Sequence, residues 1–127
     1  MKRTYPAIIH QEDGRYWAEF PDVAGCYTDG DTVEDVIENA SEALGGMLCL
    51  MLDEGEALPA STEISDIKPS DGFATLILTD PLLYKKDTRA VKKTLTIPSW
   101  LNKESEKRNI NFSQVLQDAL KEKLAYT

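Results

Sequence analysis

Apolar and polar residues alternate with a period of two over residues 15–20, and apolar residues then recur at three- and four-residue steps from position 33 on. Residues 3–9 (RTYPAII) predict a first strand, with Pro6 pointing to an edge position because proline has no N–H to give a ladder. Asp13-Gly14 is a turn signal between two apolar runs. In residues 15–20 (RYWAEF), Tyr16, Ala18 and Phe20 share one face, and Arg15, Trp17 and Glu19 share the other. Pro21-Asp22 ends that run, and residues 25–28 (GCYT) predict a short third strand in an antiparallel meander.

The clearest helix follows. Thr32 is a good N-cap, and Asp35 three residues on resembles a capping box. Val33, Val36, Ile37, Ala40, Leu44, Met47, Leu48 and Met51 form one apolar face, and Gly55 is the expected stop. Glu34, Asp35, Glu38 and Glu42 lie off that face near the N-terminus, where carboxylates suit the helix dipole. Gly45 and Gly46 weaken the middle of the helix, a sign that a strand packs closely there. Residues 56–72, with Pro59, Pro69 and Gly72, read as loop, and 73–79 (FATLILT) as a fourth strand. The order β-β-β-α-β gives a modest α+β domain with one helix against one sheet.

Asp80-Pro81 and the polar run Lys85-Lys86-Asp87-Thr88 suggest a linker, and a second pattern begins after it. In AVKKTLTIP, Val91, Lys93, Leu95 and Ile97 share one face, and Lys92, Thr94 and Thr96 share the other. Pro98 stops this strand and suits a helix start. Residues 99–108 predict a short, weakly apolar helix. Asn111 caps a second one, with Gln114 completing the capping pattern and Val115, Leu116, Ala119, Leu120 and Leu124 on its apolar face. The tail is β-α-α, and the chain divides into 1–80, a linker at 81–89, and 90–127.

Charge sharpens the division. The 127 residues carry a formal net charge of −8. Residues 1–84 hold four Lys/Arg against 17 Asp/Glu, a balance of −13, while residues 85–127 hold ten against five, a balance of +5. An acidic body is repelled by phosphate and a basic tail is attracted to it, so the halves are expected to serve partners of opposite sign. No apolar run approaches the roughly 20 residues that span a bilayer, and the start lacks the apolar core of a signal peptide. The expectation is a soluble, cytoplasmic protein that does not engage membranes. Cys26 and Cys49 form no close pair, and His10 is the one histidine, so no metal or cofactor is expected; both thiols read as reduced packing residues and His10 as a residue without chemistry.

One strand and two short helices cannot bury enough surface to fold alone, and a lone strand leaves both edges unpaired. Antiparallel pairing of two copies answers both needs. Leu95, Ile97, Leu116 and Leu120 then enter a shared core, and a two-stranded ribbon of the kind that fits the DNA major groove is left outside. Lys92, Thr94 and Thr96 would face the bases, and the second helix, capped by Asn111, would offer amides near Phe112 and Ser113 to a phosphate. AVKKTLTIP, a short helix and NFSQVLQDAL resemble the ribbon-helix-helix repressors over about a third of the chain. One departure is Glu104, where relatives tend to carry an apolar residue, which leaves Trp100 and Leu101 to pack the first helix.

The string YPAIIHQEDGRYWAEFPDVAGCYTDGDTVEDVIENASEAL resembles the HicB antitoxin domain, with Asp35-Val36 where Glu-Ala is common. The resemblance implies a partial RNase H-like fold that binds the HicA toxin, a small basic RNA-cleaving protein, and a ribbon-helix-helix that represses the operon. It thus implies an antitoxin that acts as a homodimer or a higher oligomer on operator DNA. Trp17, Asp22, Asp29 and Asp31 are the candidates to contact a basic toxin. Two other functions compete. A ligand-sensing repressor without a toxin needs a pocket with convergent polar groups, for which one helix on a small sheet leaves little room. A nuclease needs carboxylates converging on metal, yet the predicted strands carry only Glu19, and no nucleophilic triad is visible. No enzymatic activity is expected.

Overall fold

The computed structural model describes residues 1–126 and resolves them into two compact units, Met1–Lys86 and a second that begins at Asp87. Thr127, the last residue of the expected tail domain, lies outside the described residues.

Unit 1 is a four-stranded antiparallel sheet with one long helix. Its strands are β1 (Arg3–Glu12), β2 (Arg15–Glu19), β3 (Tyr27–Gly30) and β4 (Phe73–Thr79), in the order β3-β2-β1-β4, and α1 runs from Val33 to Asp53. β1 and β2 join through a two-residue turn in which Asp13 (φ 51°) and Gly14 (φ 76°) are both left-handed, the conformation that matches the twist of a tight hairpin. Ile8 pairs with Glu19 and Glu12 with Arg15; Arg3 pairs with Thr79 and Ile9 with Phe73.

Two strand expectations need correction. β1 is an interior strand, although Pro6 suggested an edge. The register explains it: β2 pairs with β1 only from Ile8 onward, so Pro6 has β4 on one side and no strand on the other. β3 starts at Tyr27 rather than at residue 25. Gly25 is left-handed (φ 78°) and Cys26 N donates to Val23 O at 3.3 Å, so that stretch is still turning. The strand continues instead to Gly30, where an added Cβ would run into the backbone of Asp35 and Val36.

The core lies between α1 and one sheet face. Val36, Ala40, Leu44 and Leu48 of α1 are fully buried against Tyr5, Ala7, Ile9, Ala18, Phe20 and Ile77. Thr32 Oγ1 accepts from Asp35 N at 3.0 Å at the start of the helix. At its end Gly55 is left-handed, Gly55 N donates to Leu52 O and Glu56 N to Met51 O, which satisfies carbonyls that would otherwise be orphaned. An added Cβ on Gly45 would overlap Thr79 Oγ1 and the ring of Tyr84, so this glycine lets β4 and its continuation come close; a Cβ on Gly46 would meet nothing.

The expected linker 81–89 begins too early. Pro81–Tyr84 form a 3-10 turn capped by Asp80 and packed on α1, Pro81 is buried, and Lys85 Nζ pairs with Asp53. The apolar Pro-Leu-Leu-Tyr stretch finishes the core of unit 1. The loop 56–72 is tied down as well: Tyr5 Oη donates to Pro59 O, and Asp22 accepts from Thr62 N at 2.8 Å and Thr62 Oγ1 at 2.6 Å.

In unit 2, α2 covers Ser99–Lys107 and α3 covers Phe112–Lys123. Asn109 (φ 54°) turns the corner, Asn109 N donating to Glu106 O and Ile110 N to Ser105 O. Asn111 Oδ1 accepts from Gln114 N at 3.0 Å and caps α3. The expected strand over 91–97 is not formed: a strand exists through its ladder, and among the described residues no segment pairs with these exposed ones.

Gly45→Ala is expected to destabilise unit 1 by about 1–3 kcal/mol through overpacking, whereas Gly46→Ala should stabilise it by up to about 1 kcal/mol through helix propensity alone. Urea midpoints of the two variants, at unchanged m, check the opposite signs. Asp22→Ala should cost about 2 kcal/mol by removing charge-assisted hydrogen bonds, with faster amide hydrogen exchange at Thr62 than in the parent chain.

Candidate functional site

Unit 2 is basic and strongly apolar at its surface. No side chain of α2 or α3 is buried, and Val91, Leu95, Trp100, Val115 and Leu120 are all at least half exposed. Val91, Leu95, Ile97, Phe112, Val115 and Leu116 line a groove of about 660 Å³. It therefore gathers Leu95, Ile97 and Leu116 of the four expected dimer-core residues. Leu120 lies further along α3 and is 52% exposed. The extended segment carries Lys92, Thr94 and Thr96, all exposed. Lys92 and Lys93 both border the groove, so the strict alternation of faces read from the sequence is not kept in the single chain. Phe112 and Ser113 sit at the first turn of α3, directly after the Asn111 cap, where backbone amides without helical partners point outward.

In unit 1 the sheet face away from α1 holds Trp17, whose indole stacks on His10 with centroids 4.1 Å apart and planes 18° from parallel. These two residues are cross-strand partners, so the register itself sets the stack. His10 Nδ1 lies 2.9 Å from Asp71 and Nε2 lies 3.6 Å from Glu19, buried without a hydrogen-bond partner. His10, read as a residue without chemistry, thus holds the Trp17 ring in place. Beside it Trp17, Tyr27, Thr28 and Asp29 line an open depression. Arg15 Nε pairs with Asp31 at 2.8 Å, and its Nη2 stands 3.8 Å from Asp29.

Three of the four acidic and aromatic candidates, Trp17, Asp29 and Asp31, therefore cluster around the β2–β3 end of the sheet. Asp22 does not join them, since both its oxygens hold the loop at Thr62. Tyr27, 65% exposed and next to Asp29 in that depression, was not singled out from sequence. Its signal was there: an aromatic ring on the same face as Trp17, two positions before an aspartate.

Both cysteines are free and buried, and burial pushes the Cys26 thiol up to about 11. Among the described residues, no three His, Cys, Asp or Glu side chains are grouped to hold a metal ion, and no helix is long and apolar enough to cross a membrane.

Residues 5–125 match the family described as the HicB-like antitoxin of bacterial toxin-antitoxin systems. A protein of Haemophilus phage HP1, described only as an uncharacterized 14.9 kDa protein of the rep-hol intergenic region, is 32% identical over 99 residues, covering 76% of this chain and 74% of its own. A chain of a toxin-antitoxin complex from Streptococcus pneumoniae superposes with a TM-score of 0.63 at 27% identity, covering 97% of this chain and 99% of that one. The Burkholderia pseudomallei antitoxin HicB shares the fold, with a TM-score of 0.57 at 23% identity over 93% of this chain and 96% of that one. A match that runs through both units, from the first strand to the end of α3, places this chain in the HicB-like antitoxins of bacterial toxin-antitoxin systems.

Proposed function

We propose that the protein neutralises a HicA-like RNA-cleaving toxin by direct binding through unit 1, and represses its own operon by binding operator DNA through unit 2 as a homodimer. The observation that carries this reading is the division of labour in the chain. Unit 2 combines an unfilled apolar groove, an unpaired extended segment and a positive balance of charge. A second copy laid on that groove would bury Leu95, Ile97, Leu116 and Leu120 and supply the missing ladder. The ribbon-helix-helix fold of this tail and the partial RNase H-like fold of unit 1 belong to the same proposal.

In the paired state, Lys92, Thr94 and Thr96 would lie on the solvent face of the ribbon. Lysine donates to guanine O6 or N7, and threonine can meet several base edges through its hydroxyl or methyl group. Asn111, Phe112 and Ser113 would bring the start of α3 to a backbone phosphate. On unit 1, the indole of Trp17 and the phenol of Tyr27 give a rigid apolar centre, with Asp29 and Asp31 at the rim. That is the composition of a protein-binding patch for a cationic partner. The similarity to a chain from a toxin-antitoxin complex supports the same assignment. Binding and occlusion need no chemistry from the antitoxin, which acts without catalysis.

Lys92→Ala and Thr94→Ala are each expected to weaken operator binding by about 1–3 kcal/mol, while toxin binding stays as it was. Gel-shift titration and toxin pull-down on the same preparations check both halves of that statement, and unchanged operator affinity in both variants sinks the ribbon assignment. Trp17→Ala and Tyr27→Ala should show the converse, restoring RNA cleavage by the co-expressed toxin and leaving the operator shift intact. Parent binding to the toxin should weaken with added salt, because exposed charge pairs are screened over about 10 Å at 0.1 M.

A further inference from the structure

His10 lies flat on Trp17 and between two carboxylates. Its Nδ1 is 2.9 Å from Asp71, in the loop before β4, and its Nε2 is 3.6 Å from Glu19 of β2. The side chain is 12% exposed, and Nε2 is buried without a hydrogen-bond partner. The other charges of this face stand further along the register. Glu12, the next residue of β1 on the same side, is opposite Arg15, and Arg15 is engaged by Asp31 and Asp29. β4 carries no charged residue.

A neutral imidazole has one N–H and one lone pair. Asp71 is an acceptor at hydrogen-bond distance, so it holds the proton on Nδ1. The lone pair of Nε2 is then turned toward the Glu19 carboxylate, acceptor against acceptor. The other tautomer moves the same conflict to Asp71, at shorter range. Only the imidazolium offers a donor to each carboxylate, and it also sets a cation against the indole face. A proton on Nε2 therefore gives Glu19 an ion-pair partner. Without that proton it has none, for among the described residues no lysine or arginine is paired with Glu19.

We infer that Glu19 is a contact for a cationic side chain of the toxin, and that His10 controls its availability: the neutral ring leaves Glu19 free, and a proton on Nε2 takes it. The inference rests on the assignment of the Trp17 face to the toxin. Glu19 follows Trp17 by two positions on the same side of β2 and is 35% exposed, so a cation beside the indole reaches it from solvent. It differs in this from Asp29 and Asp31, which Arg15 already shares. Proton and toxin compete for one carboxylate, so acid weakens the complex by linkage. Histidine is the side chain that ordinarily changes charge between about pH 5 and 8, which sets the range to scan.

Calorimetric titration of the full chain with the toxin, at steps from about pH 8 to pH 5, tests this on the parent, Glu19→Gln and His10→Phe. Each affinity is taken as a ratio to the parent at the same pH, so the toxin's own titration cancels. Glu19→Gln should bind about two- to fivefold more weakly than the parent at the alkaline end, the worth of a partly exposed ion pair, and the gap should close toward the acid end. Phenylalanine keeps a ring on Trp17 and binds no proton, so the ratio for His10→Phe should rise by a similar factor as pH falls. Parent-like affinity of Glu19→Gln at the alkaline end overturns the contact. Constant ratios across the scan overturn the control by His10 and leave it a merely structural support; Glu19→Gln decides this alone should His10→Phe not fold. A second readout needs no toxin. In a Trp100→Phe background Trp17 is the one remaining tryptophan, and an imidazolium against its ring quenches its emission. Emission should fall with acid, and adding His10→Phe should abolish the step. A missing step in the Trp100→Phe chain overturns the proton site. A step that is present while no protein binds the toxin at any pH locates the failure in the toxin assignment, and the Glu19 contact falls with it.

Discussion

How closely α1 lies on the sheet is decided at two glycines. At Gly30 the end of β3 passes against the backbone of Asp35 and Val36, and at Gly45 the helix makes room for Thr79 and Tyr84. Between these contacts Val36, Ala40 and Leu44 reach the sheet and are fully buried. A side chain at either glycine would lift the helix, and the loss would spread through every layer of a core that has only one helix to close it. The same closeness fixes what lies outside the core. β3 is held with Tyr27 and Asp29 on the open face, and the chain after β4 is drawn back over α1 instead of leaving directly into the next unit.

Unit 2 obeys the opposite condition. Its helices are capped and turned by local bonds at Asn109 and Asn111, yet none of their side chains is buried. Helices of nine and 12 residues have little stability of their own in water. The second unit is thus complete in its local signals and incomplete in its tertiary ones. This contrast separates a body whose helix and sheet close a core from a tail whose helices close none.

The sequence disclosed what depends on neighbours along the chain. The cap at Thr32, the stop at Gly55, the Asp13-Gly14 hairpin, the α1 face and the cap at Asn111 all follow from residues within a few positions of one another. It disclosed less where a distant segment decides. β3 looked two residues too early because Asp29-Gly30 has the composition of a turn, and only the approach of α1 shows why glycine ends that strand. Pro81–Tyr84 looked like linker because its packing surface, the middle of α1, lies more than thirty positions away. The strand expected at 91–97 reflects a true alternation of side chains, but alternation does not create a ladder partner. Among the site residues, Asp22 could not be separated from Asp29 and Asp31 by composition. Its bonds to Thr62, across a sequence gap of 40, make it a clasp on the loop.

Arg15 changes what the acidic surface presents. Its guanidinium lies between Asp31, at 2.8 Å, and Asp29, at 3.8 Å, with all three side chains more than half exposed. An arriving lysine or arginine does not find two bare carboxylates; it finds them already shared with a resident cation. Contact then becomes an exchange of one exposed ion pair for another, and such pairs are worth only about 0–1 kcal/mol. The net charge of this half of the chain therefore overstates the grip that these carboxylates can exert.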